Sequence, residues 1–369
     1  MEASVSIRLN PFKGSDGPDG AAVPWNPHGR ILSERPNFTL DPLFHAGCYY
    51  VQDSSAMYVG YLFRKLVPGM DGGCGAASPQ KGSRPLRVLD LCAAPGGKTT
   101  DIATSLREIM GDSFELTANE VIKNRASVLA DNVAVWGDPA VTVTSVDPAV
   151  IGRRMCGYYD VIVADVPCSG EGMFRKDPRA EKEWSPKLVE LCAARQKRIL
   201  ADAWPALKEG GILIYSTCTY EDAENDANLE WAAEELGGEI IPPENEFESR
   251  GVRLTRSGNL LKAGEVPGEG QWAGALRKTA SAPVSKACRF EDLNPFVSRM
   301  QVFDEKTPRV ELDLQQALKY LHRDSLYLPD APLGMLAVCY RSHPLGFVKN
   351  LGPRCNNLYP KGRRILMDV

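Results

Sequence analysis

From Leu86 onward, short apolar runs alternate with longer stretches in which apolar residues recur every three or four positions. Strand-length runs separated by amphipathic helical stretches are the pattern of a doubly wound α/β sheet covered on both faces. The runs predict strands at Leu86–Leu91, Glu115–Asn119, Val141–Ser145, Tyr159–Ala164, Gly211–Ser216, Glu239–Ile241 and Gln271–Leu276. The clearest helix lies between the fourth and fifth. Ser185-Pro186 opens it, Leu188, Leu191, Ile199, Leu200, Trp204 and Leu207 follow the helical period, and Gly210-Gly211 ends it. A second helix is expected from Asp53 to about Lys65, with Met57, Leu62, Phe63 and Leu66 on one face and Pro68 as its stop.

Outside this region the pattern changes. Residues 1–45 are rich in Pro, Gly and Asn, Ser15–Gly20 reads as an exposed loop, and Asp71–Pro85 reads as a small-residue linker. Three units are expected, at 1–70, 71–282 and 283–369, and the chain's 369 residues suit two or three domains of roughly 150 residues.

Charge sharpens the picture. The 43 basic and 47 acidic residues leave a net charge of -4, so a uniformly basic coat is excluded and any nucleic acid must meet a local basic face. Residues 219–248 hold eleven acids and no Lys or Arg, and are expected to face away from a polyanion. Residues 341–364 reverse this, with Arg341, Lys349, Arg354, Lys361, Arg363 and Arg364, no acid, and Phe347 and Tyr359 interleaved. The cysteines form no C-x-x-C pair, no signal-peptide core follows Met1, and no apolar run approaches the roughly 20 residues that span a bilayer. A reduced, cytoplasmic protein without a membrane role is expected.

Candidate chemistry begins at Val88-Leu-Asp-Leu-Cys-Ala-Ala-Pro-Gly-Gly-Lys-Thr99, a buried strand running through a small-residue turn into a helix. Gly96 and Gly97 let the backbone approach a ligand at the carboxyl edge, where open sheets bind ligands. Glu120, Asp147 and Asp165 then fall at the ends of the second, third and fourth strands, placed to accept bonds from a nucleoside's hydroxyl and amino groups. A P-loop nucleotidase is the main rival, since Gly97-Lys98-Thr99 completes a Walker ending and Val161-Ile-Val-Ala-Asp165 suits its metal-binding strand. Cys92 stands where that loop needs its first glycine. No G-x-G-x-x-G supports hydride transfer, and Glu171 replaces the second cysteine a zinc deaminase needs after Pro167-Cys168.

Two cysteines also lie at carboxyl ends of neighbouring strands: Cys168 in Asp165-Val-Pro-Cys-Ser-Gly-Glu-Gly-Met-Phe174 and Cys218 in Tyr215-Ser-Thr-Cys-Thr-Tyr220. A lone cysteine there reads as a small buried hydrophobe; two beside an acid and a ligand loop read as nucleophile chemistry. The residues alone leave open which one attacks.

Cys-Ala-Ala-Pro-Gly-Gly-Lys, Asp-x-Pro-Cys-Ser-Gly and Ser-Thr-Cys-Thr together resemble the motifs of the Nol/Nop/Sun RNA (cytosine-5)-methyltransferases, in the family's order and approximate spacing. The resemblance covers roughly the whole chain. Ser6-Ile-Arg-Leu-Asn-Pro11 and Asp41–Asp53 look like the amino-terminal region of bacterial members, and Pro344–Asn350 with Asn356–Pro360 is similar to the PUA-like RNA-binding domain of enzymes acting on small-subunit ribosomal RNA. It implies a Rossmann-like class I methyltransferase sheet, mainly parallel with one antiparallel strand, between a small α/β lobe and a mostly β RNA-binding domain. It implies S-adenosyl-L-methionine held by Cys92, Ala93, Ala94, Pro95, Gly96, Gly97, Lys98, Glu120, Asp147 and Asp165. Asp165 would also contact the target base, Cys218 would be the nucleophile, and Cys168 would assist product release. The implied partner is RNA, in particular small-subunit ribosomal RNA, and not DNA. Only six residues precede Ile7 where family members carry a helical lead, so the lobe is expected to be incomplete, and Phe247–Glu269 is short beside bacterial relatives.

Overall fold

The computed structural model describes residues 4–14, 16–67, 84–175, 178–279, 293, 295, 303, 304 and 306–369. The expected linker after Asp71 and the boundary at residue 283 lie outside the described residues. Among the described residues no helix is long and apolar enough to cross a membrane.

The chain begins with β1 (Val5–Leu9), β2 (Ala21–Ala22) and β3 (Gly29–Leu32), continues through α1 (Pro42–Ala46) and β4 (Tyr49–Val51), and ends its first unit with α2 (Tyr58–Leu66). The strands form an antiparallel sheet in the order β2-β3-β1-β4. The helix expected from Asp53 starts only at Tyr58, because Asp53 Oδ1 accepts from the Ser55 amide (3.0 Å) and holds the preceding residues in a turn.

The central sheet is built from β5 (Leu86–Asp90), α3 (Gly97–Met110), β6 (Phe114–Asn119), α4 (Lys123–Trp136), β7 (Val141–Thr144), α5 (Pro148–Arg154) and β8 (Tyr159–Asp165). After them come α6 (Pro178–Glu183), α7 (Pro186–Ala203), β9 (Leu207–Thr217), α8 (Asp226–Leu236), β10 (Gly238–Ile240), β11 (Val252–Leu254), β12 (Gly258–Lys262) and β13 (Gly270–Lys278). The sheet runs β11-β12-β13-β9-β8-β5-β6-β7, with β10 also paired to β13. Strands β5 to β9 pair in parallel, and Val88, Leu89, Val161 and Ile162 are buried between two helical layers.

All seven expected strands form, with two corrections. Helix α7 starts at its Ser185 cap, whose hydroxyl accepts from Leu188 N (3.2 Å), but it stops at Ala203 rather than at Gly210-Gly211. Trp204-Pro205-Ala206 is a single 3-10 turn, and Lys278 Nζ bonds the carbonyls of Trp204 (2.9 Å) and Leu207 (2.7 Å) as the chain enters β9. Leu207 kept the helical period because it is buried in the same core cluster as Leu200. The sheet also holds more than one antiparallel strand. β13 opposes β9, and the hairpin β11–β12 extends the edge, its turn tied by Asp226, which accepts from Ser257 N (2.6 Å) and Thr255 Oγ1 (2.9 Å).

The third sheet comprises β14 (Arg309–Glu311), β15 (Gly334–Tyr340), β16 (His343–Asn350) and β17 (Cys355–Asn357) in that order, with α9 (Leu314–His322) against it. Its core is not its own. Ile7, Leu43 and Tyr49 pack in one cluster with Tyr320, Val338, Val348 and Tyr359, so first and last sheets share a single interior. Met57, Tyr58 and Phe63 instead join Val88, Ile102 and Val161, which puts α2 on the central sheet. Arg8 locks the lobe down: fully buried, it donates to Gln52 Oε1 (3.0 Å) and lies 4.5 Å over the Trp136 ring.

Candidate active site

Strands β5, β6, β8 and β9 end side by side, and their carboxyl edge collects the predicted chemistry. After β5 the segment Cys92–Gly96 turns back on itself, and Ala93 N bonds the Asn119 carbonyl oxygen (2.8 Å), holding the turn against the end of β6. Gly96 is left-handed (φ 113°), a conformation that favours glycine, and Gly97 starts α3 with its amide end toward the edge.

Lys98 then reaches across to β8, where its Nζ lies 2.8 Å from Asp165 Oδ2. Burial opposes the charge on Lys98, but Asp165, with Cys218 and Asp90 nearby, more than offsets it, so its pKa lies above the ordinary lysine value. The other oxygen of Asp165 accepts from Ser216 Oγ (2.8 Å) and Gln271 Nε2 (3.2 Å), which fixes the carboxylate's direction.

Cys168 and Cys218 meet here. Their sulfurs are 2.9 Å apart, and the Cys218 amide donates to Cys168 Sγ (3.3 Å). The contact with Cys218, reinforced by burial, pushes the Cys168 thiol well above its usual pKa, so it keeps its proton. Glu120 is 3% exposed at the end of β6, accepts from Ile122 N (3.0 Å) and pairs with Arg125 (3.3 Å). Asp147 sits farther out: exposed, it caps α5 by accepting from Ala149 N (2.9 Å).

Several residues of the site were not read from the sequence. Glu224, fully buried, accepts from Ser169 N (3.1 Å) and Gln196 Nε2 (2.6 Å), while Gln196 also holds the Pro167 carbonyl (3.0 Å). Glu171 accepts from Thr219 Oγ1 and Tyr220 N (both 2.8 Å), and Gly172 N bonds the Cys218 carbonyl (2.8 Å). These bonds fasten the two cysteine loops to each other. Glu224 belongs to the acidic run expected to face away from a polyanion, and only its neighbours in space distinguish it from Glu234 or Glu235. Asp90 is the other omission. It is fully buried at the end of β5, Thr99 Oγ1 bonds one oxygen (2.6 Å), and Oδ1 has no partner among the described residues. Burial lifts its pKa to about 7.

The aromatics of the basic tail do not stand free. Phe347 stacks on Phe303 (4.8 Å) and Tyr359 is buried, while Arg363 pairs with Asp131 on α4 (3.0 Å).

Comparison with known proteins decides the kinship. The family described as 16S rRNA methyltransferase RsmB/F matches residues 77–239, the N-terminal domain of 16S rRNA methyltransferase RsmF matches 1–54, and the methyltransferase RsmF PUA domain matches 307–365. The chain belongs to the RsmB/F methyltransferase family. Ribosomal RNA small subunit methyltransferase F of Escherichia coli O6:H1 is 34% identical over 305 residues, 78% of this chain and 59% of that protein. Its counterpart in Shigella boydii serotype 18 is 34% identical over 73% of this chain and 54% of its own length. The chain thus spans between half and three-fifths of these curated relatives. Among solved structures, a methyltransferase homologue from Pyrococcus horikoshii superposes with a TM-score of 0.59 at 25% identity, covering 75% of this chain and 87% of that one. NSun6 from the same organism, solved with SFG, gives 0.53 at 24%, covering 67% and 57%. The central sheet is accordingly the class I methyltransferase fold, and the third sheet with α9 is a PUA-like domain.

Proposed function

We propose that this protein transfers a methyl group from S-adenosyl-L-methionine to carbon 5 of a cytosine in RNA, with small-subunit ribosomal RNA as the substrate class. The observation that carries the proposal is the pair of sulfurs 2.9 Å apart beside the Asp165–Lys98 pair. The residues fit the cofactor: Gly96 and Gly97 leave the turn open to close approach, and the buried Asp90 Oδ1 lacks a partner among the described residues. Cys92 to Lys98, Glu120, Asp147 and Asp165 would hold it. When bound, it supplies an electrophilic methyl group on a sulfonium.

Carbon 5 of cytosine is a weak nucleophile until a thiolate adds at carbon 6. Cys218 forms that carbon–sulfur bond, and the ring's double-bond electrons move to carbon 5, which takes the methyl. Asp165, held by Ser216, Gln271 and Lys98, contacts the base. The carbon-5 proton must then leave, so that the double bond re-forms and the bond to Cys218 breaks. Cys168 assists this release: it holds its proton in the resting site, so it first gives that proton up to solvent, and the thiolate so formed is a strong base that takes the carbon-5 proton. The PUA-like domain and the first lobe would bind the RNA, following the division at residues 70 and 283.

The test separates the two cysteines. Cys218→Ala should abolish methyl transfer and keep S-adenosylhomocysteine binding, because the thiol serves the chemistry and not the adenosine pocket. Cys168→Ala should instead accumulate an RNA adduct that migrates slowly on a denaturing gel. Full activity in Cys218→Ala, or an adduct trapped through Cys168, overturns the assignment.

A further inference from the structure

Behind the cofactor turn lies a cavity of about 310 Å³ that the mechanism above does not use. All three units contribute to it: Phe44 and Tyr50 from the first lobe, Val135 and Trp136 from the end of α4, and Tyr359 and Arg363 from the tail. The volume falls at the low end of small-ligand sites, and four of these six walls are aromatic rings. Arg363 crosses from the tail to α4, bonding the Asp131 carbonyl (3.1 Å) and carboxylate (3.0 Å), which neutralises the acid in the wall. Its Nε is buried with no hydrogen-bond partner among the described residues. Lys361 and Arg364 stand exposed on either side of it in sequence. The cavity also touches the cofactor turn. Asn132 Nδ2 and the Tyr50 hydroxyl both donate to the Pro95 carbonyl oxygen (2.8 and 3.3 Å).

We propose that this pocket takes one unstacked nucleotide of the RNA, its base among the rings and its phosphate against Arg363, Lys361 and Arg364. Aromatic walls beside fixed cations are the chemistry that captures a splayed base together with its backbone. The nucleotide is separate from the cytosine that reacts, since none of the residues lining the pocket is among those that hold Cys168 and Cys218. The inference rests on the reading that the chain acts on RNA.

Two measurements on the full chain test it: affinity for a single-stranded small-subunit ribosomal RNA fragment, and photo-crosslinking of the same fragment made with 4-thiouridine. Val135→Trp fills the cavity and should weaken binding about tenfold, with S-adenosylhomocysteine affinity unchanged. Lys361→Ala with Arg364→Ala, both exposed, should also weaken it should the larger substitution prove unfolded by thermal melting. Crosslinks should map to Phe44 or Tyr50, the half-exposed rings of the pocket. Crosslinks confined to the cleft around Cys168 and Cys218, or wild-type affinity in folded variants, overturn the pocket while leaving the methyl-transfer reading intact. Absence of RNA binding by the wild type overturns both. Loss of affinity for the assembled small subunit alone, with naked RNA bound normally, would assign the pocket to a protein partner and also overturn the proposal.

Discussion

Asp90→Asn keeps the size of a buried carboxyl and its contact with Thr99 while removing its charge. Burial is the main cause that raises Asp90 from 3.8 to about 7; Thr99 opposes the shift, Asp165 adds to it, and Lys98 and Glu120 act more weakly in opposite directions. A carboxyl with a raised folded pKa stabilises the fold fully below its unfolded pKa and loses that contribution as pH climbs through the folded value. Between pH 5 and pH 7 the unfolded chain has released a proton that the folded chain still holds. Folding therefore weakens by about 1.36 kcal/mol per pH unit, or about 3 kcal/mol across the interval. Asparagine has no such dependence, so Asp90→Asn should gain on the wild type by about 3 kcal/mol between pH 5 and pH 8. In thermal melts at pH 5, 6.5 and 8, the difference in melting temperature should widen by roughly 4 °C for a chain of 369 residues. The same variant should bind S-adenosylhomocysteine more weakly, because the unpartnered Oδ1 is then an amide or a neutral oxygen. A melting difference that does not move with pH refutes the argument, since the carboxyl would then titrate alike in folded and unfolded chains. Unchanged cofactor affinity would make Asp90 a structural acid only.

Three further expectations follow from the same geometry. Glu120→Ala should weaken S-adenosylmethionine binding by about 1 to 3 kcal/mol, the usual cost of a lost buried bond, as measured by calorimetry; an unchanged constant places this acid outside the ribose pocket. Glu224→Gln turns a donor toward either Ser169 N or Gln196, which should lower stability by about 1 to 3 kcal/mol and slow methyl transfer with cofactor affinity preserved; wild-type turnover would show that the Cys168 loop does not depend on this carboxylate. Changing Arg354, Lys361 and Arg364 together to alanine, with Arg363 kept for its bond to Asp131, should flatten the salt dependence of RNA binding by roughly 0.7 per lost phosphate contact. An unchanged slope moves RNA capture away from the tail.

The strand-and-helix alternation after Leu86 was legible because each run is buried by local periodicity, and Gly96, Gly97, Lys98, Asp165, Cys168 and Cys218 were legible because each stands at the carboxyl end of such a run. Chain direction alone brings those ends to one edge of a parallel sheet. What the periodicity could not carry was any feature created by a partner distant in sequence. Leu207 reads as helix until Trp204-Pro205 and the Lys278 ammonium show it entering β9. The β11–β12 hairpin has a polar sequence, and Asp226 from another element ties its turn. Glu224 is indistinguishable from its acidic neighbours until Ser169 and Gln196 close around it, and Tyr359 reads as an exposed stacking ring until the first and last sheets merge into one core. Local hydrophobic pattern thus determined the elements and the order of the motifs, because burial of a strand or helix face is decided within its own few residues. Tertiary structure decided the shared core, the polar bonds that join the two cysteine loops, and the pocket behind Pro95, because each depends on groups that only the folded chain brings within hydrogen-bond or packing distance.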